Sequence, residues 1–300
     1  MNSYYSHGKL LLTGEYLVLD GAQALAVPCK FGQVLEVYSS SQPGITWASY
    51  TKDGERWFQQ DFSIARIKEN PKNNPDSVAD TLQKILHHAY LLNPTFFDNL
   101  AVSCKTKLEF PRNWGLGSSS TLINSIAQWI GIDAYTLLEH SFGGSGYDIA
   151  AAKSKKAFLY NRYASPRIEE VELKWDFTDQ IFFVHRNQKQ DSKEGIARYR
   201  AKASNQKKKL SKINSLTQEF IQATNLDQLT HAIEEHERFI ASEIGMQPIK
   251  EKLFSDYPHA IKSLGAWGGD FFMALGKEED KTYFKDKGYK TILSFTDMVL

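Results

Sequence analysis

Residues 111–121 read Pro111-Arg112-Asn113-Trp114-Gly115-Leu116-Gly117-Ser118-Ser119-Ser120-Thr121, between a predicted strand and an apolar helix. Gly115 and Gly117 let the backbone approach a ligand closely and take positive φ. Three serines then open a helix, where unpaired N–H groups and the helix dipole favour an anion such as phosphate. A serine hydroxyl in this place can also face a magnesium ion. A plain helix cap behind a glycine hinge would have the same local sequence. The loop is not a Walker A motif, because the Gly-Lys-Ser/Thr ending is missing.

A second group of residues has chemistry for an acceptor. Asp148 lies in Gly144-Ser145-Gly146-Tyr147-Asp148-Ile149-Ala150. A carboxylate that begins a helix is ordinarily a cap or an N-terminal charge. Small neighbours leave this one room to meet a substrate hydroxyl and take its proton. Lys9 and Glu15 sit in an apolar segment, and each alone reads as an exposed strand face. Gly265-Ala266-Trp267-Gly268-Gly269-Asp270 precedes an apolar strand. It is either a turn or backbone that must lie against another loop or a ligand. Arg186, Lys189 and Lys193 follow a predicted strand and can bind an anionic acceptor; an exposed basic helix start is the equal alternative. Lys207-Lys208-Lys209 reads as a solvated face.

These residues need elements to hold them. Residues 9–19 and 24–38 read as strands joined by tight turns, and 44–62 as a hairpin turning at Lys52-Asp53-Gly54. A helix capped by Asp76 or Ser77 runs to about Leu92. Residues 100–108 alternate as a strand. The loop at 115–120 then leads into a helix from about Thr121 to Trp129. A small-residue helix covers Asp148–Ala152, and strands are expected at 156–161, 168–174 and 180–185. Residues 191–241 form two or three helices. Strands at 268–276 and 289–296 flank a last helix. Strands and helices interleave without regular β-α-β spacing, which indicates an α+β protein. The domain boundary is placed near Ser165-Pro166, giving domains 1–165 and 166–300.

Composition limits the remaining classes. Three hundred residues fit one large domain or two moderate ones. With 42% hydrophobic and 24% charged residues the chain is globular rather than disordered. A net charge of +1 provides no global field for nucleic acid or anionic lipid. No apolar run reaches 18 residues, and Met1–Lys9 lacks the character of a signal peptide. Cys29 and Cys104 read as buried thiols of a cytoplasmic protein.

The order of the motifs resembles the GHMP kinase superfamily, which includes galactokinase, homoserine kinase, mevalonate kinase and phosphomevalonate kinase. Gly8-Lys9-Leu10-Leu11-Leu12-Thr13-Gly14-Glu15-Tyr16-Leu17-Val18-Leu19 is similar to its first motif. Gly115-Leu116-Gly117-Ser118-Ser119 is similar to its phosphate loop, and Gly265–Asp270 to its third motif. The likeness runs from about residue 8 to about residue 275. The Gly14–Leu19 continuation, the Gly144–Ala152 segment and the terminal Asp270 lean toward phosphomevalonate kinase. Asn113, Ser120 and Trp267 depart from the family pattern, and Asn187–Lys193 matches its stretch only loosely.

The resemblance implies two α+β lobes, the first like ribosomal protein S5 and the second ferredoxin-like, in a monomer or homodimer. It implies phosphoryl transfer from ATP, with Mg2+, to a small acidic acceptor of the mevalonate pathway to isoprenoids. A mevalonate kinase, another small-alcohol kinase or a catalytically silent ligand-binding relative are the alternatives. Asn113, Trp114, Gly115, Leu116, Gly117, Ser118, Ser119 and Ser120 would hold ATP, and Ser119 with Glu139 the metal. Asp148 would act on the acceptor hydroxyl and Lys9 on the transferring group. Glu15, Ser145, Gly146, Arg186, Lys189, Ser192, Lys193, Gly268, Gly269 and Asp270 would complete the acceptor pocket. Trp267 would narrow that pocket or pack in the core.

Overall fold

The computed structural model describes residues 1–70, 74, 77–163, 165–188, 192–201, 206–267 and 270–300, with the backbone alone at 192–194. Packing divides the chain into two units. One comprises Met1–Gly8, Phe31–Arg112 and Gly117–Lys153; the other comprises Lys9–Lys30, Asn113–Leu116 and Ser154–Leu300.

In the first unit, helices cover a sheet. Its strands are β1 (Asn2–Leu11), β2 (Ala24–Ser39), β3 (Gly44–Tyr50), β4 (Arg56–Phe62) and β5 (Ala101–Leu108). β1 and β2 each carry residues of both units. The order is β4-β3-β5-β2, and β1 also pairs with β2. β3 and β4 are antiparallel, whereas β3 and β5 are parallel. The parallel pair requires a crossover. It is supplied by α1 (Ile64–Lys68) and α2 (Val78–Leu92), the latter capped by the Ser77 side chain accepting from the Asp80 N–H. Next come α3 (Ser118–Ile130), α4 (Ala134–Ser141) and α5 (Tyr147–Lys153). Ile123, Ile126, Ala127 and Ile130 recur at helical spacing on α3 and pack with Trp47, Cys104, Leu86, Leu137 and Ile149 in one core.

The second unit begins its own pairing where Ala24–Ala26 of β2 meet β6 (Phe158–Asn161), which in turn pairs with β7 (Arg167–Glu170). A separate antiparallel sheet follows, formed by β8 (Ile181–His185), β9 (Ile261–Ser263), β10 (Phe271–Leu275) and β11 (Ile292–Ser294) in the order β11-β8-β10-β9. Its helices are α6 (Ser192–Ala201), α7 (Gln206–Gln222), α8 (Leu226–Ile244), α9 (Ile249–Leu253), α10 (Lys281–Asp286) and α11 (Phe295–Met298). Among the described residues, no helix is long and apolar enough to cross a membrane.

The α+β class holds, and so do the 44–62 hairpin and the Ser77 cap; of the two or three helices expected in 191–241, three are present among the described residues. The strand expected over 9–19 does not hold. β1 ends at Leu11, Gly14 turns with φ 84°, and Leu17–Asp20 form a single 3₁₀ turn. A Cβ at Gly14 would lie 2.8 Å from the Gln23 carbonyl, so a close backbone approach overrides the β propensity of the leucines around it. α3 starts at Ser118, three residues before the expected Thr121.

Candidate active site

In the first unit, the end of the glycine loop becomes a helix. Gly117 adopts φ 87° at the N-cap of α3 and contributes no capping side chain. Its carbonyl accepts from the Thr121 N–H, so the amides of the first turn are left to an outside acceptor. The helix start is pinned. The Thr121 hydroxyl donates to Gln33 Oε1 of β2 at 2.7 Å, and Asn124 Nδ2 donates to Ser6 Oγ of β1 at 2.9 Å. Ser119 is exposed, while Ser118 and Ser120 are half-buried.

α5 packs on α3 in the same unit. Gly143, Gly144 and Gly146 all have positive φ, and they turn the chain so that α5 opens at Tyr147-Asp148. Asp148 is half-buried on this helix, whose Ile149–Ala152 are buried; Ser145 is half-buried and Gly146 buried just before it. The unit therefore places a helix start without a side-chain cap and a carboxylate on two packed helices. Glu139 stands exposed on α4. Among the described residues no three His, Cys, Asp or Glu side chains form a metal cluster. Ser119 on α3 and Glu139 on α4 are both exposed oxygen donors, the kind of ligand that Mg2+ takes.

In the second unit, residues 113–116 are gripped from three strands. The Lys9 N–H donates to the Leu116 carbonyl at 3.0 Å. His185 Nε2 lies 3.0 Å from the Asn113 carbonyl, which makes Nε2 the protonated nitrogen. Trp114 stands edge-on to Phe271 at 5.4 Å. A Cβ at Gly115 would lie 2.0 Å from Cγ of Asp270, so the Asp270 carboxyl covers the only kind of residue that fits beneath it. Lys9, Trp114, Gly115, Gly265 and Asp270 line one small cavity of about 20 Å³. The Asp270 N–H donates to the Gln188 carbonyl, and its own carbonyl accepts from the Arg186 N–H at 2.7 Å. Arg186 is half-buried there. His185 was not singled out in the sequence; its one signal is a polar residue ending a buried strand.

One sequence expectation needs correcting, and the two readings of Trp267 resolve to core packing. Glu15 is on neither an exposed strand nor a pocket wall. It is fully buried, with Oε1 accepting from Lys262 Nζ at 2.7 Å and Oε2 3.2 Å from His236 Nε2. Trp267 does not narrow a pocket. Its ring is 2% exposed, in a core with Tyr16, Leu17, Tyr199, Leu216 and Ile240. Lys189, Gly268 and Gly269 lie outside the described residues, as do the side chains of Ser192 and Lys193.

No protein-family model and no curated protein matches this sequence. Solved structures do. A Streptococcus pneumoniae phosphomevalonate kinase in complex with phosphomevalonate and AMPPNP superposes with a TM-score of 0.71 at 17% identity, covering 98% of this chain and 100% of that one. The Methanococcus jannaschii mevalonate kinase gives 0.71 at 15% identity over 97% and 96% of the two chains. This chain has the GHMP kinase fold. A Lactococcus lactis galactokinase complexed with galactose gives 0.70 at 13% identity, over 99% of this chain and 93% of that one. The GHMP fold thus spans the whole chain, and enzymes with different acceptors match it equally well.

Proposed function

We propose that this chain is an ATP-dependent small-molecule kinase acting on phosphomevalonate. The observation that carries the reading is the start of α3. Gly117 leaves the first-turn amides free of any side-chain cap, and Thr121 and Asn124 anchor the helix to the sheet behind it. A helix start built this way holds phosphate. The complex of the S. pneumoniae enzyme with AMPPNP supports a nucleotide in this fold.

Phosphoryl transfer relies mainly on positioning and charge neutralisation. Asn113–Ser120 hold the ATP phosphates. Asp148 accepts the proton of the acceptor oxygen as it attacks, and Lys9 offsets charge on the transferring group. Ser119 and Glu139 would hold Mg2+, which neutralises phosphate charge when bound. Phosphomevalonate carries a carboxylate and a phosphate, and Arg186 beside Asp270 is the described cation suited to them.

A coupled ADP-release assay with mevalonate, phosphomevalonate, homoserine and galactose tests this. The highest kcat/KM is expected with phosphomevalonate. A higher value on another alcohol moves the acceptor assignment while retaining the chemistry. No ADP release with any acceptor, from a protein that still binds nucleotide, overturns the kinase reading.

A further inference from the structure

Four ionisable side chains meet inside the second unit: Glu15, His236 and Glu237 of α8, and Lys262 of β9. None is more than 4% exposed. Lys262 Nζ donates to Glu15 Oε1 at 2.7 Å, to Glu237 Oε1 at 3.3 Å and to the Ser263 carbonyl at 2.7 Å, which uses its three protons. Ser263 Oγ donates to Glu237 Oε2 at 2.7 Å. Both oxygens of Glu237 are thus served by donors, as an anion requires. Two residues before Glu15, the Thr13 hydroxyl meets that of Thr217 on α7 at 2.9 Å.

Glu15 differs. His236 Nε2 accepts the Gly14 N–H at 3.3 Å, so this nitrogen presents its lone pair. The same nitrogen lies 3.2 Å from Glu15 Oε2. Two lone-pair atoms this close in a dry interior repel unless a proton lies between them. The charge count calls for one more proton in the cluster, and Glu15 Oε2 is the carboxylate oxygen without a donor. With both carboxylates ionised, two negative charges would face one ammonium; with one more proton the buried cluster is neutral.

The backbone next to Glu15 is strained. The Leu17 N–H donates to the Glu15 carbonyl at 2.7 Å across Tyr16, whose φ is 62° and ψ −47°. This is the rare positive-φ form of γ-turn. The Tyr16 hydroxyl donates to the Ala266 carbonyl at 2.7 Å. Strain of this kind persists only where its surroundings over-determine it. We propose that Glu15 is kept as a neutral carboxylic acid whose O–H shares the lone pair of His236 Nε2 with the Gly14 N–H.

The surroundings of these groups act in the same direction as the geometry, and burial raises Glu237 too, although both of its oxygens already have donors. Burial, the largest cause, raises the Glu15 carboxyl from 4.5 to about 7 against the pull of Lys262. Burial also holds His236 well below 6.5. The native carboxyl then keeps a proton that the unfolded chain releases. Its contribution to stability is full below pH 4.5 and is lost as pH rises through about 7. The inference is independent of the kinase reading, and its test uses neither nucleotide nor acceptor.

Urea unfolding at pH 5, 6, 7 and 8 compares the wild-type chain with Glu15→Gln. Glutamine retains a donor for His236 and a carbonyl for Lys262 without a titrating proton. The folding constant of the variant relative to wild type is expected to rise on the order of a hundredfold from pH 5 to pH 8. Parallel pH profiles overturn the proposal. Carbon-13 NMR of the wild-type chain tests it even if the variant does not fold. The Glu15 side-chain carboxyl carbon should keep its protonated shift at pH 6, and an ionised shift at that pH overturns the proposal.

Discussion

Asp148 is the residue on which the proposed chemistry depends most. Asparagine keeps its size and removes the proton acceptor. Asp148→Asn should lower kcat by about 10²–10⁴-fold while the KM for ATP changes little. Steady-state kinetics decides this, and an equal loss in nucleotide affinity would reassign Asp148 to structure. Gly115 makes a sharper structural case. Its φ is 66°, and a methyl group there meets the Asp270 carboxyl at 2.0 Å. Gly115→Ala should cost roughly 1–3 kcal/mol in urea unfolding, and adding Asp270→Gly should restore part of it. No recovery in the double variant would mean that the backbone angle alone sets the cost. Both residues stand out in the sequence because their signals are local: a glycine pair before serines, and a carboxylate among small residues. Glu15 does not, because its partner Lys262 is 247 positions away and nothing near residue 15 announces burial. Trp267 was ambiguous for a related reason. A tryptophan beside glycines reads as a pocket wall until the packing of Tyr16 and Ile240 against it is known.

At the scale of elements, the helices were more legible than the strands. The 3.6-residue stripe of α3 is complete within its own sequence, and Ser77 caps α2 by a local bond. β1 was cut short by features that only tertiary contact reveals. The leucines of residues 10–12 suit a continuing strand, but Gly14 must lie against Gln23 and Glu15 must reach Lys262. The polar start of β1 was missed for the opposite reason. Its Ser6 is buried by bonding to Ser125 and Asn124 on α3, not by hydrophobicity. These cross-element bonds suggest a test of how α3 is held. Thr121→Val preserves shape but leaves Gln33 Oε1 without its 2.7 Å donor. The cost should be about 1–3 kcal/mol in urea unfolding, and affinity for a non-hydrolysable ATP analogue should fall as well. Lost stability with unchanged nucleotide affinity would separate the Thr121 anchor from the phosphate site.

At the scale of the molecule, fold and acceptor separate. Phosphomevalonate kinase and mevalonate kinase structures match this chain at the same TM-score, 0.71, so the path of the backbone does not choose between them. The nucleotide of the proposed function can be tested without any acceptor. A ligand that binds only the folded chain adds RT ln(1 + [L]/Kd) to stability, about 2.7 kcal/mol at a hundredfold excess over Kd. A non-hydrolysable ATP analogue with Mg2+ should therefore raise the unfolding temperature progressively as its concentration increases. Omitting Mg2+ should reduce the shift if, as proposed, a metal would offset phosphate charge at the start of α3. Scanning calorimetry over a range of analogue concentrations, with and without a chelator, measures both effects. Read beside the ADP-release assay, it distinguishes three outcomes. Stabilisation with turnover supports a kinase. Stabilisation without turnover on any acceptor indicates a nucleotide-binding relative that lacks catalysis. An unfolding temperature unmoved by the analogue at every concentration removes the nucleotide from the glycine–serine loop, and the proposed roles of Ser118, Ser119 and Ser120 with it.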